Sequence, residues 1–95
     1  MQGGVKSVPR YMGSYIIACM TRRELTEFIK KLSEPGSTQC IKAYANLIDG
    51  KMFAIFEAPT RDALDGFQKR MQMKPLEVLK VDMETDEKGE LQRLK

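Results

Sequence analysis

The 95-residue chain is predicted to fold as one α+β domain, with two helices on one face of a four-stranded antiparallel sheet. Two kinds of periodicity predict this. Apolar residues alternate with period two in the strand-like runs, and they form one-sided helical stripes in two others, the first at i, i+3, i+4, i+7. In chain order these runs read βαββαβ. The length is that of a single core, since domains commonly run about 100 to 150 residues.

Residues 1–9, MQGGVKSVP, carry two glycines and a proline without periodicity and read as a flexible lead before the folded domain, residues 10–84. Tyr11 to Met20 is aromatic and β-branched and reads as the first strand. Thr21 and Glu24 have the spacing of a capping box, in which the hydroxyl accepts from an orphan amide and the carboxylate reaches back. Leu25, Phe28, Ile29 and Leu32 then form one apolar helix face, which Pro35-Gly36 brings to an end.

From Thr38 the period becomes two, with Ile41, Ala43, Ala45 and Leu47 on one side and Cys40, Lys42, Tyr44 and Asn46 on the other. Asp49-Gly50 suits a two-residue hairpin turn into a third strand, KMFAIFEA, which is apolar on both sides. Pro59 and Thr60 open a second helix on the stripe Ala63, Leu64, Phe67 and Met71, although Gly66 costs that helix about 1 kcal/mol relative to Ala. Lys74-Pro75 ends it. Leu76 to Glu84 reads as the last strand, with Leu79, Val81 and Met83 opposed to Val78, Lys80 and Asp82. Residues 85–95 form a charged tail in which Leu91 and Leu94 allow a short helix.

A ferredoxin-like order puts strands one and three in the middle and both helices on one side. With Met52, Ala54, Phe56, Ile41, Ala43 and Leu79 under the helices, Lys42, Tyr44, Phe53, Ile55, Glu57 and Lys80 project from the other face. That face is half apolar. An exposed apolar patch beyond a few hundred Å² usually marks an interface or a ligand groove. A second sheet, a nucleic-acid strand or a small molecule are the candidate occupants, and a short chain gains stability from association with a second copy.

The composition excludes several chemistries. Without histidine there is no ordinary neutral-pH base and no Ser-His or Cys-His pair. Cys19 and Cys40 lack C-x-x-C spacing, which fits a reducing cytoplasm and offers too few soft ligands for a closed metal site; both read as small buried hydrophobes. No phosphate-binding glycine loop, export signal or membrane-length apolar run occurs. The net charge of +3 is interspersed, which makes nucleic acid a poor partner. Lys51-Met52-Phe53-Ala54-Ile55-Phe56 partly imitates an RNA-recognition strand, with Met52 in place of its glycine and Ile55 in place of its second stacking ring. Glu57, with Lys42 or Lys80 beside it, is the remaining acid-base candidate, and a cross-strand ion pair is the plainer reading. No residue is assigned a catalytic role.

F-E-A-P-T-R-D-A-L at Phe56 to Leu64 and L-E-V-L-K-V-D at Leu76 to Asp82 resemble the dimeric α+β barrel superfamily. More narrowly, the chain resembles a family of small bacterial proteins that includes nickel-responsive-regulator-like members. The resemblance covers residues 10–84 in element order. It implies two sheets packed face to face, in a superfamily that includes cofactor-free monooxygenases, isomerases and ligand binders. Its nickel-binding members depend on histidine, so no metal site carries over. The expectation is a cytoplasmic homodimer, without metal or organic cofactor, enclosing a small-ligand cleft lined by Tyr15, Lys42, Tyr44, Phe53, Glu57 and Lys80. The alternatives are cofactor-free catalysis through Glu57 and an RNA-binding module.

Overall fold

A computed structural model describes residues 8–94, so most of the expected flexible lead lies outside the described residues. The element order is β1 (Arg10–Ile16), α1 (Arg22–Leu32), β2 (Gln39–Asn46), β3 (Lys51–Glu57), α2 (Arg61–Arg70) and β4 (Glu77–Val81), followed by a hairpin of β5 (Met83–Thr85) and β6 (Leu91–Arg93). The first four strands form an antiparallel sheet in the order β2-β3-β1-β4. The predicted α+β class and central pair of strands are both present.

Local chemistry sets the helix boundaries. The capping box forms as expected: the Glu24 amide donates to Thr21 Oγ1 at 3.1 Å, and the Thr21 amide donates to Glu24 Oε1 at 2.9 Å. At α2 the Ala63 amide donates to Thr60 Oγ1 at 3.0 Å, and Arg61 pairs with Asp65 one turn on. Both helices turn their apolar stripes to the same sheet face. Leu25, Leu32 and Leu64 share a core there with Tyr11, Tyr15, Met52, Ala54 and Phe56. Phe56 sits at its centre, edge-on to both Tyr15 and Phe67. Burying a side chain of this size contributes about 1.5–3 kcal/mol.

Several elements differ from expectation. β1 stops at Ile16 rather than Met20, because the chain turns through Ala18 and Cys19, the latter at φ 78° and exposed rather than buried. The β2-β3 connection has four residues, 47–50, instead of two. The Asn46 carboxamide accepts from the Asp49 amide, its carbonyl accepts from the Gly50 amide, and Gly50 takes φ 69°. Leu47 therefore belongs to the loop and not to the strand. A bulge between Cys40 and Lys42 breaks the alternation of β2, so Cys40 joins Ala43 under the helices while Ile41 is exposed.

The last strand is also interrupted. β4 ends at Val81, and after Asp82 the chain forms the exposed β5-β6 hairpin where a frayed tail or short helix was expected. Its loop is organised by Asp86, whose carboxylate accepts from the Lys88 and Glu90 amides and from Gln92. These bonds, the Glu90 amide foremost, hold the Asp86 carboxyl below its ordinary range.

Candidate functional site

The pairing register defines the face opposite the helices, because residues directly across from one another project to the same side. One row across the sheet is Tyr44, Phe53, Ser14 and Glu77; the next is Lys42, Ile55, Met12 and Leu79. Gln39, Glu57, Arg10 and Val81 form a third row, and Asn46, Lys51 and Ile16 close the other end. Large apolar groups thus stand in the open: Phe53 is 48% exposed, Leu79 50% and Tyr44 57%. Their charged neighbours lie around them rather than among them.

Four of the six expected lining residues, Lys42, Tyr44, Phe53 and Glu57, share this face. The other two do not. Tyr15 has the parity of Tyr11 and Gly13, pairs with Met52, and is buried beneath the helices, where its hydroxyl donates to Gln68 Oε1 at 2.5 Å. Burial, with Cys40 adding to it, drives the Tyr15 phenol far above its ordinary pKa. Burial likewise pushes the Cys40 thiol up. Lys80 lies across from Tyr11 and so has the parity of the helix side, although it remains exposed at the edge. Leu79, expected in the core, takes its place on the open face, and Val78 packs against the core instead.

Glu57 has a different partner from the one expected. Arg10, directly across in register, reaches Glu57 at 3.4 Å and also holds Glu84 of β5 at 2.9 Å. An arginine that bridges two carboxylates ties the C-terminal hairpin to the rim of the face. The partner of Glu57 is thus Arg10, in a part-exposed pair, and not Lys42 or Lys80. Lys42 is instead across from Ile55. Met12, Ser14, Phe53, Glu77 and Leu79 surround a depression of only about 60 Å³ on this face.

Among the described residues no group of three or more His, Cys, Asp or Glu side chains is arranged to hold a metal ion. No helix among them is long and apolar enough to cross a membrane. Sequence reasoning missed Arg10, Met12 and Leu79. Arg10 and Met12 alternate with Tyr11 and Gly13, so assigning Tyr11 to the core would have found them; for Leu79, adjacent to the equally apolar Val78, the sequence holds no such signal.

The architecture is that of a small ferredoxin-like α+β domain with one open sheet face. Neither a protein-family model nor a curated protein matches the chain. Among solved structures, it is similar to the crystal structure of SCO4226 from Streptomyces coelicolor A3(2). The TM-score is 0.66 at 16% identity, over 80% of this chain and 99% of that one. At that identity the likeness concerns the fold alone.

Proposed function

We propose that the chain acts as a homodimer whose two open sheet faces pack against each other, and that its role is assembly or the holding of a small ligand between them. The observation that carries this reading is the apolar centre of the face: Phe53, Ile55, Met12 and Leu79 are neighbours in the register, with Phe53 and Leu79 about half exposed. Large contiguous apolar surfaces on a sheet are stabilised by a second layer about 10 Å away. The surrounding ring of Lys42, Lys51, Glu77 and the Arg10–Glu57 pair supplies the polar rim typical of protein interfaces. A standard interface takes about 800 Å² from each partner. The β5-β6 hairpin, tethered beside the face through Arg10 and Glu84, would extend the contact surface.

Light scattering at micromolar concentration tests the proposal. A dimer is expected for the native chain and a folded monomer for Phe53→Lys; a native chain that stays monomeric refutes it. A second reading draws on one specific feature, the exposed Tyr44 and Phe53 directly across from each other beside Lys42 and Lys51. Such a pair suits base stacking. Under that reading the native chain retains single-stranded RNA in a salt-sensitive manner, and Phe53→Ala abolishes the retention.

A further inference from the structure

We infer that the helix side of the domain carries a separate binding cleft for an amphipathic carboxylate, an unbranched apolar chain with an anionic end. Between α1 and the segment that follows α2 lies a cleft of about 590 Å³, within the roughly 300–1,000 Å³ of small-molecule sites. Met20, Met52, Met71 and Met73 line it together with Tyr15 and Phe28. Met52 and Tyr15 are buried, while Met20, Phe28, Met71 and Met73 are partly exposed, so an apolar hollow opens to solvent. Unbranched, polarisable thioethers adapt to a flexible apolar chain.

The backbone builds this wall in an uncommon way. α2 ends at Arg70, and Gln72 takes a left-handed φ of 58°, a conformation that non-glycine residues seldom adopt. The turn is held by the Met73 amide donating to the Gln68 carbonyl at 2.8 Å, and it lets Met71 and Met73 both line the cleft. Lys74, also in the lining, is exposed and makes no ion pair among the described residues. Of the nearby charges in the adjoining hollow, Asp65 is engaged by Arg61 and Lys69 adds a second cation. An apolar channel with an unpartnered cation at its side selects a chain that ends in a carboxylate.

The seven methionines make the test a spatial one. Decanoate is titrated into full-length protein labelled at the methionine methyl carbons, followed by NMR. Saturable shifts are expected at Met20, Met52, Met71 and Met73, with Met12 on the open face and Met83 in the hairpin unmoved. Lys74→Gln should weaken decanoate about two- to fivefold and leave 1-decanol unchanged, as loss of one exposed ion pair implies. The absence of any saturable shift at millimolar decanoate overturns the inference, as does a Lys74→Gln variant that binds decanoate as tightly as the native chain. Shifts centred on Met12 would also overturn it, while leaving the open-face proposal intact.

Discussion

Gly13 lies in the middle of β1 beneath the ring of Tyr15, and replacing it with alanine tests the packing of the whole helix side. A Cβ at this position would stand 2.2 Å from the Tyr15 hydroxyl oxygen, 2.6 Å from Cζ and 2.9 Å from a ring carbon. Ordinary contact begins near 3.4 Å, so the ring tip must retreat by at least 1.2 Å, the difference between 3.4 and 2.2. Tyr15 is only 4% exposed and its hydroxyl is tied to Gln68, itself 3% exposed. Retreat therefore stretches or breaks that hydrogen bond inside the core. Overpacking costs about 1–3 kcal/mol. An orphaned buried amide costs a similar amount. The reduced freedom of the unfolded chain returns about 0.4–1 kcal/mol. We expect Gly13→Ala to destabilise by about 3 kcal/mol, lowering the thermal midpoint by more than about 10 °C in a domain of this size. Circular dichroism melts and urea titrations read the change. In a Tyr15→Leu background the same alanine should be close to neutral. A Gly13→Ala protein with an unaltered midpoint, or an equal loss in both backgrounds, would refute the reasoning.

Three further outcomes follow from the described contacts. Tyr15 has a raised pKa in the folded state, so its contribution is fully present below the unfolded value near 10 and declines as pH rises beyond it. An absorbance titration should show a tyrosine component that resists ionisation until the protein unfolds, and Tyr15→Phe should remove it. Asp86 has a lowered pKa, so its support of the β5-β6 loop is present above the ordinary carboxylate range near 3.9 and is lost as pH falls through the folded value. Amide protection in residues 83–93, taken relative to the intrinsic exchange rate at each pH, should fall in that acidic window while the four-stranded sheet keeps its own, and Asp86→Ala should show the lowered protection already at neutral pH. Thr21→Ala should cost about 1 kcal/mol by removing the hydroxyl half of the α1 capping box, measured by chemical denaturation.

Much of the architecture was legible because it rests on local chemistry. The Thr21–Glu24 box and the stripe Leu25, Phe28, Ile29, Leu32 specify α1 without reference to the rest of the chain. The doubly apolar character of β1 and β3 identified the central strands. Side-chain parity was harder to read for a physical reason: a shift of one residue moves every side chain of a strand to the other face. Where Val78 and Leu79 are both apolar, the alternation signal vanishes, and pairing with Gly13 and Met12 decides which one faces the helices. In β2 the apolar residues alternate in the sequence, yet the bulge beside Ile41 inserts one residue and sends Cys40 inward. The β5-β6 hairpin was invisible to hydrophobic periodicity because its strands are three residues each and its loop depends on the bonds to a single carboxylate, Asp86.

These exchanges alter the character of the open face more than its location. Tyr15 and Lys80 leave the face, a phenol and one of the two lysines expected near Glu57, while the other, Lys42, stays on it across from Ile55. Met12 and Leu79 enter in their place, and Arg10 occupies the Glu57 carboxylate. The surface is more apolar at its centre than expected and carries the Arg10–Glu57 pair at its rim, which supports the proposed association. An exposed Phe53 or Leu79 in water forgoes about 25 cal/mol for each Å² of apolar area left uncovered, and a second sheet laid across the face recovers that energy for both copies at once. The same register that puts Tyr15 beneath the helices therefore supports the proposed assembly through the side of the sheet the helices leave bare.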